Sequence, residues 1–197
     1  MTTHLRHALV PILSLALGSA AALAANPPAA APAAPAAKGG FQSDLLALVD
    51  DVEKKTLSLE EAVPQNKFTW RPAPGVRSIA EAYMHIAFGN YGLTKLATGK
   101  EPPAEVGWDF KTRDKWDAKT TDKAQIKAIL EKSFDHVRGA VKGMSDADLD
   151  KKVNFFGHDV TARFGLIMLV GHQNEHLGQE IAYARANNVT PPWSKEK

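Results

Sequence analysis

The 197-residue chain has no cysteine. That excludes disulfides, thiolate metal sites, iron–sulfur clusters, a cysteine nucleophile and a lipid-modified cysteine anchor. It also lacks an excess of either charge. There are 24 basic residues against 22 acidic ones, and the two extra cations, Arg6 and Lys38, both fall in the first 43 residues, where there is no acid at all. From Asp44 onward the balance is even, so the pI near 8.7 marks no basic surface. The body is without the cationic surplus of a nucleic-acid binder, and no nucleic-acid partner is expected. Period-two alternation of apolar and polar residues is missing as well, so no sheet of ordinary size is predicted.

What is present begins with an address. Arg6, flanked by His4 and His7, precedes an uncharged run of 18 residues from Ala8 to Ala25. Its leucine-rich half is short and grades into small residues. Ala22-Leu23-Ala24 has the small-x-small pattern of a signal-peptidase site, which predicts residues 1–24 to be a signal peptide and the product to be periplasmic or secreted. The alternative is an uncleaved anchor helix, which the weak hydrophobicity of alanine disfavours. After cleavage no stable membrane insertion is expected. Residues 25–40 form a Pro/Ala-rich linker, extended and unable to build a core. The remaining 157 residues, Phe41 to Lys197, suit one domain.

In that domain the apolar periodicity predicts an all-α fold, a four-helix bundle with a long connection between helices 2 and 3. The first helix runs from about Ser43 to Ala62 and is stopped by Pro64. The second opens at Ser78, with Glu81 three residues on completing a capping box, and closes at Gly99. The connection, Lys100 to Lys119, carries Trp108, Phe110 and Trp116, which predicts that it packs over the body. Thr121 caps a third helix reaching about Lys142. Ser145 to Leu149 forms a short turn, Lys151 to Val160 is extended or irregular, and Thr161 caps a fourth helix ending near Asn187.

The chemistry concentrates in histidines. His172 and His176 stand four apart in the fourth helix, so both rings leave one face about a turn apart and can grip one metal ion. Gly165, Met168, Leu169 and Tyr183 share that face, which should point inward. Two buried imidazoles without a metal or carboxylate would leave nitrogens costly to satisfy. His85, mid-way along the second helix beside Ala82, Phe88 and Gly89, completes a three-nitrogen site if helices 2 and 4 are neighbours. The other reading is a core histidine bonded to a backbone carbonyl. Three neutral imidazoles leave a metal position open for water or substrate, the catalytic arrangement, and suit zinc, nickel, copper and iron alike. His136, beside Asp135 and Arg138, and His158, in a Gly-Asp turn, read as solvated.

Glu175 is the candidate catalytic residue, either a general base or an acceptor for a ligand histidine. The alternative is a solvated or salt-bridged glutamate. Gln179, one turn beyond His176, can orient a ligand or make a polar core bond. His172 to His176 also matches the H-x-x-E-H pattern of inverted zinc peptidases, but only 21 residues follow, and the architecture differs.

The segment from Phe68 through Trp70, Pro72 and Ser78 to His85 and Ala87 resembles the second-helix signature of the DinB family. Gly171 to Arg185, with Pro191-Pro192 beyond, resembles its last-helix signature. The resemblance implies a four-helix bundle, often a homodimer, holding a divalent metal through three histidines that fall here on His85, His172 and His176. Members of the family with known activities are thiol-dependent transferases or isomerases, and the expectation for this chain is either a metal-dependent enzyme of hydrolase or thiol-dependent transferase type, acting on a small molecule, or a non-catalytic envelope protein that binds metal or ligand. Zinc, nickel or iron would serve. The thiol-dependent relatives are cytoplasmic, whereas this chain carries an export signal.

Overall fold

A computed structural model describes residues 40–194. The signal peptide expected over 1–24 and nearly all of the linker expected over 25–40 lie outside the described residues. Four long helices dominate: α1 (Phe41–Ala62), α2 (Ile79–Thr98), α4 (Lys123–Lys142) and α6 (Ala162–Ala186). Two short ones, α3 (Arg113–Asp117) and α5 (Asp146–Leu149), sit in the connections. The fold is therefore an all-α bundle, with one small addition. Among the described residues no helix is long and apolar enough to cross a membrane.

Local chemistry sets the boundaries. Ser78 Oγ accepts from the Glu81 amide at 3.2 Å while the Glu81 carboxylate accepts from the Ser78 amide at 2.7 Å, so the expected capping box opens α2. Gly99 ends it in the left-handed conformation, φ 75°. Thr161 caps α6 as expected, accepting from the Phe164 amide. For α4 the cap is Asp122, not Thr121: its carboxylate accepts from the Gln125 amide at 2.8 Å.

α2 is the central rod. It packs against α6 on one side and α4 on the other, and α1 closes the bundle against both α4 and α6. Tyr83, Met84, Ile86 and Tyr91 of α2 meet Leu59 of α1, Ile126, Leu130 and Phe134 of α4, and Leu166 of α6, all essentially inaccessible to solvent. Full burial of one such aliphatic side chain contributes about 1.5–3 kcal/mol before entropy is counted. Within this core Gln173 Nε2 donates to Asn90 Oδ1 at 2.8 Å, and Asn90 Nδ2 donates to Ser133 Oγ at 2.9 Å. One polar thread thus runs through α6, α2 and α4.

Three further expectations are corrected. The extended segment after α5 is a true antiparallel hairpin, β1 (Lys152–Phe155) with β2 (His158–Thr161), Phe155 opposite His158. It escaped notice because four-residue strands are too short to show a period. His136 is not solvated but 8% exposed, its ring 5.2 Å from that of Tyr91. Of its charged neighbours, Arg138 is engaged with Glu53 and Asp135. Met168 does not point into the core; it is 45% exposed.

Candidate metal centre and pocket

His85 from α2 and His172 and His176 from α6 converge. Each offers a ring nitrogen, and the three nitrogens lie within 4.8 Å of one another. Ring centroids are separated by 5.2 Å for His85–His172, 4.7 Å for His85–His176 and 4.5 Å for His172–His176. The convergence depends on close approach of the two helices at Gly89. A β-carbon there would lie 2.2 Å from Cε1 and 2.6 Å from Nδ1 of His172, so only glycine admits the ring.

Two of the rings are held from outside. His85 Nδ1 is 2.9 Å from Asp117 Oδ2, the same oxygen that accepts from Arg77 Nε at 3.0 Å. A carboxylate accepts only, so Nδ1 of His85 is the donor and Nε2 is the ring nitrogen left for a metal. His176 Nδ1 is 2.8 Å from Gln179 Oε1, and Gln179 Nε2 donates to the Tyr183 hydroxyl at 2.7 Å. With the amide nitrogen engaged by Tyr183, Oε1 faces His176 and accepts from its Nδ1–H, leaving Nε2 as the free ring nitrogen. Tyr183 in turn packs edge-on against Trp70 at 5.4 Å. Such outer contacts orient metal-ligating imidazoles and raise their basicity.

His172 has a buried Nδ1 with no hydrogen-bond partner among the described residues. Burial, reinforced by His176, His85 and Arg77, pulls its pKa down to about 3. Burial also lowers that of His176, against the opposing pull of Gln179. These two rings are neutral near pH 7 and present lone pairs, not protons. An orphaned buried nitrogen, two oriented imidazoles and an all-nitrogen donor set fit a divalent ion of the borderline-soft kind.

Beside the cluster opens a pocket of about 630 Å³. His85, His172, Gly89 and Gly171 form its floor, Phe88, Phe110, Phe155, Phe156 and Met168 its walls, and Arg113 and Glu175 supply its charged groups. Thus Glu175 reaches the pocket, on the exposed side of α6. Trp108 buttresses the wall: its indole N–H donates to the Phe88 carbonyl at 3.0 Å, and a β-carbon at position 92 would meet it at 2.5 Å. The aromatics of the connection do pack on the body, as their number suggested.

Sequence reasoning missed Asp117, Arg77 and the Phe155–Phe156 pair. Asp117 lies 32 residues from His85 in a stretch without periodicity, and Arg77 is one cation among many in a loop. The one available hint was that buried imidazoles need acceptors, but the connection carries five acids, Glu101, Glu105, Asp109, Asp114 and Asp117, and nothing local singles out the last.

A model of the DinB superfamily matches residues 48–179, more than half of the chain. An all-α bundle that brings histidines of α2 and α6 together belongs to that class, and this chain is a member of the DinB superfamily. Among solved structures, a DinB-like protein of Bacillus cereus superposes with TM-score 0.64 at 21% identity, over 78% of this chain and 98% of that one. A DinB-like protein of Bacillus subtilis gives TM-score 0.58 at 17% identity, over 75% and 93%. A mycothiol-dependent maleylpyruvate isomerase gives TM-score 0.56 at 18% identity, over 71% of this chain and 62% of the isomerase. At these identities what is shared is the fold. No functionally curated protein matches by sequence.

Proposed function

We propose that this protein is an exported metal-dependent enzyme that holds one divalent ion through His85, His172 and His176 and acts on a small molecule seated in the adjoining pocket. The observation that carries the reading is the pairing of convergent nitrogens with outer partners, Asp117 on His85 and Gln179 on His176. A closed structural site has no use for an adjoining chamber, whereas here one of about 630 Å³ opens directly onto His85 and His172.

When bound, the ion supplies Lewis acidity and lowers the proton affinity of whatever group it coordinates. The chain's own residues do the rest. Asp117, held by Arg77, and Gln179, held by Tyr183, fix two ring planes, so little reorganisation is needed on binding. Once a substrate displaces water from the apolar walls, electrostatic interactions within the chamber strengthen. Glu175, on the pocket lining, is the carboxylate suited to take a proton from substrate or nucleophile. The likeness to a mycothiol-dependent isomerase supports a thiol co-substrate as one form of that nucleophile; water is the other, giving a hydrolase.

Elemental analysis of purified wild type beside His85→Ala and His172→Ala tests the site. We expect about one equivalent of metal in wild type and loss in both variants; equal content in all three removes the proposal. Export and cleavage after Ala24 are tested by the mass of the mature protein in cell fractions. A full-length species retained in the membrane would overturn that part alone.

A further inference from the structure

We infer that Phe156, at the tip of the β1–β2 hairpin, is a specificity-determining residue, and that the chamber beside the three histidines takes a substrate with a flat apolar or aromatic body. The inference rests on reading that chamber as a small-molecule site, and it deepens that reading.

The hairpin tip carries backbone strain. Phe155 and His158 close the hairpin, leaving Phe156 and Gly157 as a two-residue connection with successive φ values of 53° and 88°. Two positive values in succession are what the type I′ turn requires, and its first position favours asparagine, aspartate or glycine. Phenylalanine there is an outlier: a bulky side chain in the left-handed region is disfavoured sterically. The neighbouring residues already supply good turn chemistry, since the Asn154 side chain accepts from the Gly157 amide at 3.0 Å. Strain that persists in a well-formed turn points to what the residue does, not to how the turn folds.

The Phe156 ring is not burying itself in the core. The residue is 59% exposed, yet its ring stands edge-to-face with Phe110 at 5.7 Å and with Phe155 at 5.1 Å. Phe110, also substantially exposed, comes from the α2–α3 connection and meets Phe88 at 5.9 Å. Three segments distant in sequence thus place rings around one opening, and Met168 of α6 also lines it. Folding alone would favour a polar residue at this tip. The exposed rings match a ligand whose own ring or chain replaces water against them. Within the lining only Arg113 and Glu175 are charged, so the body of the ligand is apolar and its polar group is held at the histidine floor.

The test uses N-phenyl-1-naphthylamine, a neutral aromatic probe that brightens in apolar surroundings, titrated into the full domain as isolated. Phe156→Asn should weaken probe affinity about tenfold, as loss of one stacking partner and its buried area predicts. The same variant should hold or raise the melting temperature, because asparagine relieves the turn. Gly171→Leu, whose side chain projects from the floor into open space, should abolish binding and so locate the probe in this chamber. Unchanged affinity in Phe156→Asn overturns the inference, as does a fall of several degrees in its melting temperature, which would make the ring a packing residue. Metal content, measured on the same samples, separates the two readings. Metal-free protein with Phe156-dependent probe binding defeats the metal site alone. Stoichiometric metal with Phe156-independent binding defeats this inference alone.

Discussion

Oδ2 of Asp117 bridges two groups, lying 2.9 Å from Nδ1 of His85 and 3.0 Å from Nε of Arg77. It connects a loop cation to one ring of the histidine cluster. Asp117 is only 3% exposed, so the bridge works in a medium where charge is poorly screened. Removing its carboxylate frees the imidazole to rotate and leaves Arg77 without its partner. We expect Asp117→Ala to reduce metal affinity about 10- to 100-fold, read by competition with a chelator of known affinity. An affinity equal to wild type would show that His85 needs no external support.

Gly89 and Gly178 make an opposed pair. A β-carbon at 89 collides with the His172 ring, whereas one at 178 meets nothing within 4 Å. Gly89→Ala should therefore displace that ring, cost about 1–3 kcal/mol of stability and lower metal occupancy. Gly178→Ala should stabilise α6 by about 0.5–1 kcal/mol with metal content intact. Thermal melts with elemental analysis check both, and equal behaviour of the two would refute the close-approach explanation.

Glu60 has no hydrogen-bond partner for either carboxylate oxygen among the described residues. Burial, only partly opposed by Lys123 and Lys127, raises its pKa from 4.5 to about 7. Its folded-state value exceeds its unfolded one, so the stability it contributes is complete below pH 4.5 and is lost as pH rises through about 7. Glu60→Gln should consequently match wild type near pH 4 and exceed it by about 2–3 kcal/mol near pH 8, measured by denaturant unfolding. A constant difference across that range would contradict the assignment.

His172 acts on the opposite limb. Its folded-state pKa of about 3 lies below the ordinary 6.5. On acidification the unfolded chain takes up a proton that the native ring refuses. Metal-free protein should therefore lose stability as pH falls from 6.5 toward 3, and His172→Leu should flatten that slope. Identical slopes in the two proteins would mean that the ring is not sequestered in solution.

The bundle itself was readable because several helix ends are marked chemically: the Ser78–Glu81 box, Thr161, Gly99 and Pro64 all act where they stand. The convergence of the histidines was readable for a related reason, since the four-residue spacing of His172 and His176 fixes their faces once α6 is recognised. Asp117 and Phe156 were not readable. Their roles arise from where a non-periodic connection and a four-residue hairpin come to rest, and no local rule connects position 117 to position 85. His136 was misjudged because charged neighbours in sequence are not neighbours around a helix. Met168 was misjudged because the α6 face that carries the histidines opens onto a chamber instead of a core.

The Gln173–Asn90–Ser133 thread has a consequence for how the centre is kept in register. Leucines and alanines tolerate axial slip, because one apolar surface slides over another at modest cost. A chain of directional amide contacts does not, and Gln173 adjoins His172 just as Asn90 adjoins Gly89. The three side chains therefore work as a keyed joint that sets the height of one rod against the next, holding residue 172 level with residue 89. Amino-acid changes at 90, 133 and 173 should for that reason be tolerated as a matched set and not singly.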